Sequence, residues 1–166
     1  MRTYRDFLIR DWTPGDRDLA SRVIATVLAE YGLPWEPDDT DRDSIEVERF
    51  YQNTGGAFWV VERHGEIVGT AGFYPISRGD RAVELRKMYL HPSARGVGLG
   101  KFLLKAIETD IANWGFKQIW IETASVLAEA VRLYEKFGYQ PATEVETPRC
   151  DRAYVKTLTN AVSSEV

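Results

Sequence analysis

Residues 82–104 read AVELRKMYLHPSARGVGLGKFLL, and this stretch decides the fold. Apolar residues alternate in its first half, which predicts a strand that ends at Pro92. In its second half they recur every three or four positions, which predicts an amphipathic helix. Between the halves lie Gly96, Gly98 and Gly100. A glycine-rich turn therefore leads directly into the first turn of a helix.

A turn of this kind is suited to binding phosphate. The first turn of a helix has amide N–H groups without partners inside the helix, and it carries the positive end of the helix dipole. Glycines let the backbone approach a ligand closely, and Arg95 and Lys101 add positive charge on either side. We therefore expect residues 95–100, here called the glycine loop, to bind a pyrophosphate.

Two common phosphate-binding motifs do not fit the glycine loop. A Walker A motif ending at Lys101 would need glycine where the chain has Arg95 and serine or threonine where it has Phe102. A dinucleotide-binding fingerprint would need its third glycine where the chain has Lys101 or Leu103. Both of these nucleotide-binding classes are therefore disfavoured.

The pattern [QR]-x-x-G-x-[GA] does fit, through Arg95, Gly98 and Gly100. Together with the strand ELRKMYL before it, this segment resembles motif A of the GCN5-related N-acetyltransferases, the GNAT superfamily. Tyr134 and Gly138 lie in a segment that resembles motif B of the same superfamily, L-Y-x-x-x-G-[FY]. The resemblance implies that acetyl-CoA is the co-substrate. It assigns coenzyme binding to Met88, Tyr89, Leu90, Arg95, Gly96, Val97, Gly98, Leu99, Gly100 and Lys101.

The order of predicted elements is β-α-α-β-β-β-α-β-α-β-β, which is an α+β fold. We expect a central mixed, mostly antiparallel sheet of about seven strands with four helices and one right-handed βαβ crossover. This arrangement resembles the GNAT fold from end to end. The predicted strands are 4–12, 57–63, 66–74, one from 82, 118–122, 141–147 and 153–158; the predicted helices are 16–31, a short one through 47–51, one after the glycine loop and 126–137.

Composition limits the classes of function. A chain of 166 residues that is 44% hydrophobic suits one domain, predicted to cover 1–166 with a flexible tail at 160–166. Its net charge of −4 gives no global positive field for nucleic acid or an anionic membrane. The single Cys150 cannot form an internal disulfide or a thiolate zinc site, so we expect no metal. The sequence shows no signal or membrane-spanning segment, and a cytoplasmic protein is expected.

Two side chains are candidates for proton transfer. Glu84 occupies the strand position where many superfamily members carry a catalytic glutamate, and it would take a proton from the amine directly or through water. Simple alternation puts Arg86 on the same face, where its charge would weaken Glu84 as a base unless a bulge changes the phase. Tyr134, in register with motif B, is the predicted proton donor to the departing thiolate; the alternative is a core aromatic residue.

The backbone of the same strand is the predicted oxyanion site. The resemblance implies that the main-chain N–H groups of Met88 and Leu90 stabilise the oxyanion, beside a bulge that leaves them accessible. One departure from the pattern concerns Leu127, because many relatives have asparagine there in contact with the coenzyme.

The predicted function is therefore acetyl transfer from acetyl-CoA to a primary amine in a ternary complex. A small molecule or amino-acid derivative is the expected acceptor, and the acidic run 36–43 could attract its cationic group. The alternatives are a protein or peptide acceptor, a non-catalytic acyl-CoA-binding module, and a general phosphate-binding protein. A second copy of the chain, in a homodimer, is the one protein partner considered.

Overall fold

A computed structural model describes residues 1–159, within which it has eight strands and five α-helices. The predicted tail at 160–166 lies outside the described residues. The strands are β1 (Arg2–Tyr4), β2 (Phe7–Asp11), β3 (Ala57–Arg63), β4 (Glu66–Ile76), β5 (Ala82–Leu90), β6 (Gln118–Thr123), β7 (Gln140–Ala142) and β8 (Arg152–Thr157). The α-helices are α1 (Arg17–Glu30), α2 (Arg42–Ile45), α3 (Val47–Phe50), α4 (Leu99–Asn113) and α5 (Ala128–Lys136).

The chain divides into two compact units, the first made of 1–74 and 85–102 and the second of 75–84 and, among the described residues, 103–159. In the first unit the strand order is β1-β2-β3-β4-β5, and the three pairs from β1 to β4 are antiparallel. In the second unit the order is β6-β8-β7, again with antiparallel pairs. The predicted α+β class is confirmed.

Each unit buries apolar side chains from helices and strands together. In the first unit, α1 and α3 pack their apolar residues against β3. This core cluster consists of Trp12, Ala20, Ile24, Leu28, Val47, Tyr51, Phe58 and Val60. In the second unit, the buried residues of α4 and β6 are Leu103, Leu104, Ala106, Ile107, Ile111, Ile119 and Ile121. None of the helices among the described residues is both long enough and apolar enough to span a bilayer.

Local sequence patterns predicted several boundaries well. Strand β3 has the predicted bounds, and β4 begins at Glu66 as expected after a two-residue turn. In that turn His64 and Gly65 have φ angles of 51° and 81°, as a type I′ hairpin requires. Strand β5 follows the predicted loop at 77–81.

The prediction of a single strand over 4–12 is wrong, because this part of the chain forms a hairpin of two strands. Tyr4 pairs with Phe7 across a two-residue turn, so β1 and β2 replace one long strand. Arg5 in this turn has a φ of 52°, a left-handed conformation for which its residue type gives no signal. This hairpin supplies the eighth strand.

The last predicted hairpin and two helical details also need correction. Strand β7 covers only Gln140–Ala142, not 141–147. The backbone N–H groups of residues 146 and 147 donate to the Glu122 carboxylate instead of to a neighbouring strand. The short helix through 47–51 is preceded by a second one, α2. Leu19, on the predicted apolar face of α1, is 47% exposed.

Candidate active site

The glycine loop has the backbone geometry that the sequence predicts. Gly96 and Gly98 have φ angles of 79° and 83°, a left-handed conformation that is disfavoured for residues other than glycine. Helix α4 begins at Leu99, and the Gly98 carbonyl accepts the first helical bond from the Phe102 N–H at 3.1 Å. The N–H groups of this first turn therefore have no partner within the helix, as an anion site requires.

Tyr4 supports the glycine loop through contacts that sequence reasoning missed. Its hydroxyl donates a 2.5 Å hydrogen bond to the Val97 carbonyl, and its ring packs on Phe102 with centroids 4.8 Å apart. A Cβ on Gly98 would lie 2.7 Å from the Tyr4 hydroxyl oxygen. The close approach of this phenol thus gives a second reason for glycine at position 98.

Arg95 fixes the start of the loop through an ion pair. Its guanidinium donates to both carboxylate oxygens of Glu30, at 2.7 and 2.8 Å, and its Nε donates to the Leu90 carbonyl at 3.0 Å. The Arg95 hydrogen bonds hold the pKa of Glu30 below its ordinary value. Arg95 therefore joins the end of α1 to the end of β5, whereas Lys101 is exposed at the start of α4.

A left-handed residue interrupts β5 in front of the predicted oxyanion donors. Lys87 has a φ of 54°, and its carbonyl accepts a 2.7 Å hydrogen bond from the buried Thr70 hydroxyl. Such a residue departs from the regular ladder, as in a β-bulge. Because it follows Arg86, it does not change the alternation between Glu84 and Arg86, and both are half-buried.

The Lys87 side chain lies in a buried ionic cluster. Its Nζ is 3.1 Å from Asp41 Oδ1 and 3.2 Å from Asp43 Oδ1, and all three side chains are almost completely excluded from solvent. Buried charges are tolerated when they are paired in this way. Two carboxylates of the predicted amine-attracting run 36–43 therefore neutralise a lysine of the protein itself, while Asp38 and Asp39 are exposed.

Arg86 is held by the same cluster. Its Nε lies 3.4 Å from Asp43 Oδ2, and it donates a 3.0 Å hydrogen bond to the Tyr74 hydroxyl. Tyr51 donates a short hydrogen bond to Asp43. Burial and the neighbouring Asp43 carboxylate raise the pKa of Tyr51 well above its ordinary value, so its phenol stays protonated as a donor.

The two predicted catalytic side chains, Glu84 and Tyr134, both belong to the second unit. Glu84 is half-buried in β5. Tyr134 on α5 is 5% exposed, and its ring packs on Tyr139 and Tyr154 with centroids 5.8 and 6.4 Å apart. Leu127 precedes α5, where its carbonyl accepts the Val131 N–H at 3.1 Å.

Glu122 organises the segment between β7 and β8. Its carboxylate accepts the backbone N–H groups of Glu146 and Thr147 at 2.7 and 2.8 Å, and it pairs with Arg78 at 3.1 Å. Burial raises the pKa of Glu122, but these hydrogen bonds outweigh burial and leave the pKa below its ordinary value. Because its side chain satisfies these amides, residues 146 and 147 are not part of β7.

Comparison with known proteins identifies the family to which this geometry belongs. A model of the acetyltransferase (GNAT) family matches residues 24–139. The chain belongs to this family. This acetyltransferase is 38% identical over 136 residues to the uncharacterized N-acetyltransferase YjgM of Escherichia coli strain K12, covering 80% of the chain and 81% of the relative.

Solved structures agree on the fold of this acetyltransferase. An acetyltransferase of the GNAT family from Staphylococcus aureus Mu50 superposes with a TM-score of 0.85 at 22% identity, covering 92% of this chain and 99% of that one. The Salmonella typhimurium protein yncA, solved with its cofactor acetyl-CoA, gives 0.73 at 22% identity, covering 95% and 96%. The predicted GNAT fold and acyltransferase class are confirmed.

Proposed function

We propose that this acetyltransferase transfers the acetyl group of acetyl-CoA to a primary amine of a small molecule or amino-acid derivative. The observation that carries the proposal is the glycine loop, with its two left-handed glycines in front of the first turn of α4. Unpaired amide donors and the helix dipole at this point suit a pyrophosphate. Acetyl-CoA provides one, and a related fold has been solved with it.

The proposed chemistry needs three groups from the chain. Glu84 removes a proton from the ammonium form of the acceptor, since an amine of pKa near 10.4 is neutral in only about one molecule in a thousand at pH 7. As the amine attacks the thioester carbonyl, the main-chain N–H groups of Met88 and Leu90 stabilise the oxyanion. Tyr134 then protonates the thiolate as the carbon–sulfur bond breaks. The products are the acetylated amine and coenzyme A.

The arrangement of Arg95 supports a structural part for this residue in coenzyme binding. Its guanidinium already binds Glu30 and the Leu90 carbonyl, so it holds the glycine loop in place between α1 and β5. In this proposal the main-chain donors of the loop bind the pyrophosphate, and the exposed Lys101 adds a point charge.

The test begins with acetyl-CoA consumption across a panel of amines, amino acids and peptides. For an acceptor found in this way, Glu84→Gln and Tyr134→Phe should each lower kcat by at least about tenfold, because each variant removes a general acid or base. Both variants should leave the affinity for coenzyme A within about twofold of the wild type. Glu66→Gln, an exposed strand glutamate, and Tyr139→Phe, a neighbour of Tyr134, are the matched controls. Unchanged turnover in both test variants would contradict the roles assigned to Glu84 and Tyr134. Consumption of acetyl-CoA with peptides alone would show that the acceptor is a peptide or protein and not a small molecule.

A further inference from the structure

We propose that Lys87 and Thr70 are positioning residues for acetyl transfer. Together they fix the peptide between Lys87 and Met88, and thereby the direction of the Met88 N–H group. This inference rests on the proposed function, in which that N–H group binds the acetyl oxygen. It adds two residues that touch neither the coenzyme nor the acceptor in the proposal.

The first fixed point is the lysine side chain. Nζ of Lys87 lies 3.1 Å from Asp41 and 3.2 Å from Asp43, and the Thr40 carbonyl is 3.4 Å away. The lysine side chain is 3% exposed, so leaving this arrangement would strip a buried cation of its counter-charges. The side chain therefore holds residue 87 in its left-handed conformation, although only glycine adopts that conformation at little cost.

The second fixed point is the carbonyl of the same residue. The Thr70 hydroxyl donates to it at 2.7 Å, and Thr70 is completely buried. A buried hydroxyl with one short bond of this kind has little freedom to rotate away. Side chain and carbonyl are thus both held, on either side of the Cα of Lys87.

The geometry of the peptide bond carries these restraints to Met88. The described residues contain no cis peptide, and in a planar trans peptide the carbonyl and the following N–H point in opposite directions. Because Thr70 fixes the direction of the Lys87 carbonyl, it also fixes the Met88 N–H, which points away from Thr70. An N–H group that already points at the acetyl oxygen can stabilise the negative charge that develops there without any reorganisation of the protein.

Selective labelling gives a test that needs no acceptor. The sequence has two methionines, so [15N]methionine labelling yields a simple amide spectrum in which Met88→Leu assigns the Met88 signal. In the wild-type protein this signal should move more with acetyl-CoA than with coenzyme A, because only the thioester has the carbonyl acceptor. Thr70→Val should abolish this difference while coenzyme A affinity by calorimetry stays within about twofold, and Thr70→Ser should restore it.

Turnover provides the second measurement. With an acceptor from the panel above, Thr70→Val should lower kcat about tenfold, less than the loss of a whole oxyanion donor, with little change in KM for acetyl-CoA. Thr109→Val removes an exposed threonine-to-carbonyl hydrogen bond on α4 and should change neither value. Lys87→Met acts on the lysine itself but leaves Asp41 and Asp43 without their buried cation, whereas Thr70→Val removes no member of these ion pairs.

The outcomes separate the two proposals. If the Met88 signal no longer moves more with acetyl-CoA than with coenzyme A in Thr70→Val, and does so again in Thr70→Ser, the result supports the positioning role of Thr70. Equal responses to both ligands in the wild type, or wild-type behaviour of Thr70→Val, would overturn it and leave coenzyme binding intact. A wild-type protein that binds neither ligand would overturn the proposed function, and the positioning inference with it.

Discussion

Alanine at Gly98 should destabilise the protein for two separable reasons. The first is backbone conformation, because a left-handed alanine costs about 1–2 kcal/mol. The second is the approach of Tyr4, whose hydroxyl oxygen would lie 2.7 Å from the new Cβ. Relieving that contact strains the packing and breaks the 2.5 Å bond to Val97, which together cost about 1–3 kcal/mol.

Gly96 offers a matched control within the same loop. Its φ of 79° is close to the 83° of Gly98, but a Cβ there would meet no atom within 4 Å. Gly96→Ala should therefore lower the free energy of unfolding by only about 1–2 kcal/mol, against about 2–5 kcal/mol for Gly98→Ala. Urea denaturation of both variants measures this difference.

A double-mutant cycle with Tyr4→Phe tests the clash directly. Without the hydroxyl, the nearest atom to a Cβ at Gly98 is the Tyr4 ring carbon at 3.8 Å, an ordinary contact. Tyr4→Phe alone should cost about 1 kcal/mol, and Gly98→Ala in that background should cost no more than Gly96→Ala in the wild type. Strict additivity in the cycle, or equal costs for the two glycine variants, would refute the packing explanation for position 98.

Two further predictions concern carboxylates with lowered pKa values. The Arg10 hydrogen bond outweighs burial and holds the pKa of Asp16 at about 2, so this group stabilises the fold above its ordinary pKa and loses that effect as pH falls toward 2. Asp16→Asn should thus cost about 2 kcal/mol at pH 7 and much less at pH 2 in thermal melts; a constant deficit would contradict this. Glu122→Gln should cost about 1–2 kcal/mol at pH 7, since a neutral amide pairs poorly with Arg78, and its deficit should shrink as pH falls below the ordinary pKa of a glutamate and through the lower pKa of Glu122 in the folded protein. The exposed Glu146→Gln is the control, and equal losses for the two would contradict the prediction.

The fold could be predicted where the signal is local. The apolar run of β3, the turn at His64 and the glycine loop each consist of adjacent residues whose types determine their conformation. The hairpin at Arg5 could not be predicted, because its turn, formed by Arg5 and Asp6, contains neither glycine nor proline. Strand β7 was predicted too long because Glu122, more than twenty residues earlier in sequence, takes the amides of the segment that follows it.

In the candidate site, too, the local features could be predicted from the sequence and the long-range contacts could not. The glycine loop follows from its motif, but its support by Tyr4 joins residues 93 positions apart and leaves no sequence signal. Lys87 looks like an ordinary strand lysine until the structure shows its buried carboxylate partners. The parts assigned to Glu84 and Tyr134 stay predictions, as do the single domain over 1–166, the cytoplasmic location and the homodimer.

The buried pairing of Lys87 has a practical meaning for mutagenesis of the acidic run 36–43. A combinatorial library over residues 36–43 would contain two kinds of carboxylate. Asp38 and Asp39 face solvent and can be randomised at little risk to folding, whereas loss of Asp41 or Asp43 would remove one of the two carboxylates that compensate the buried Lys87 cation, at up to about 3–5 kcal/mol. Directed evolution of this segment should therefore keep positions 41 and 43 constant and vary the exposed acids around them.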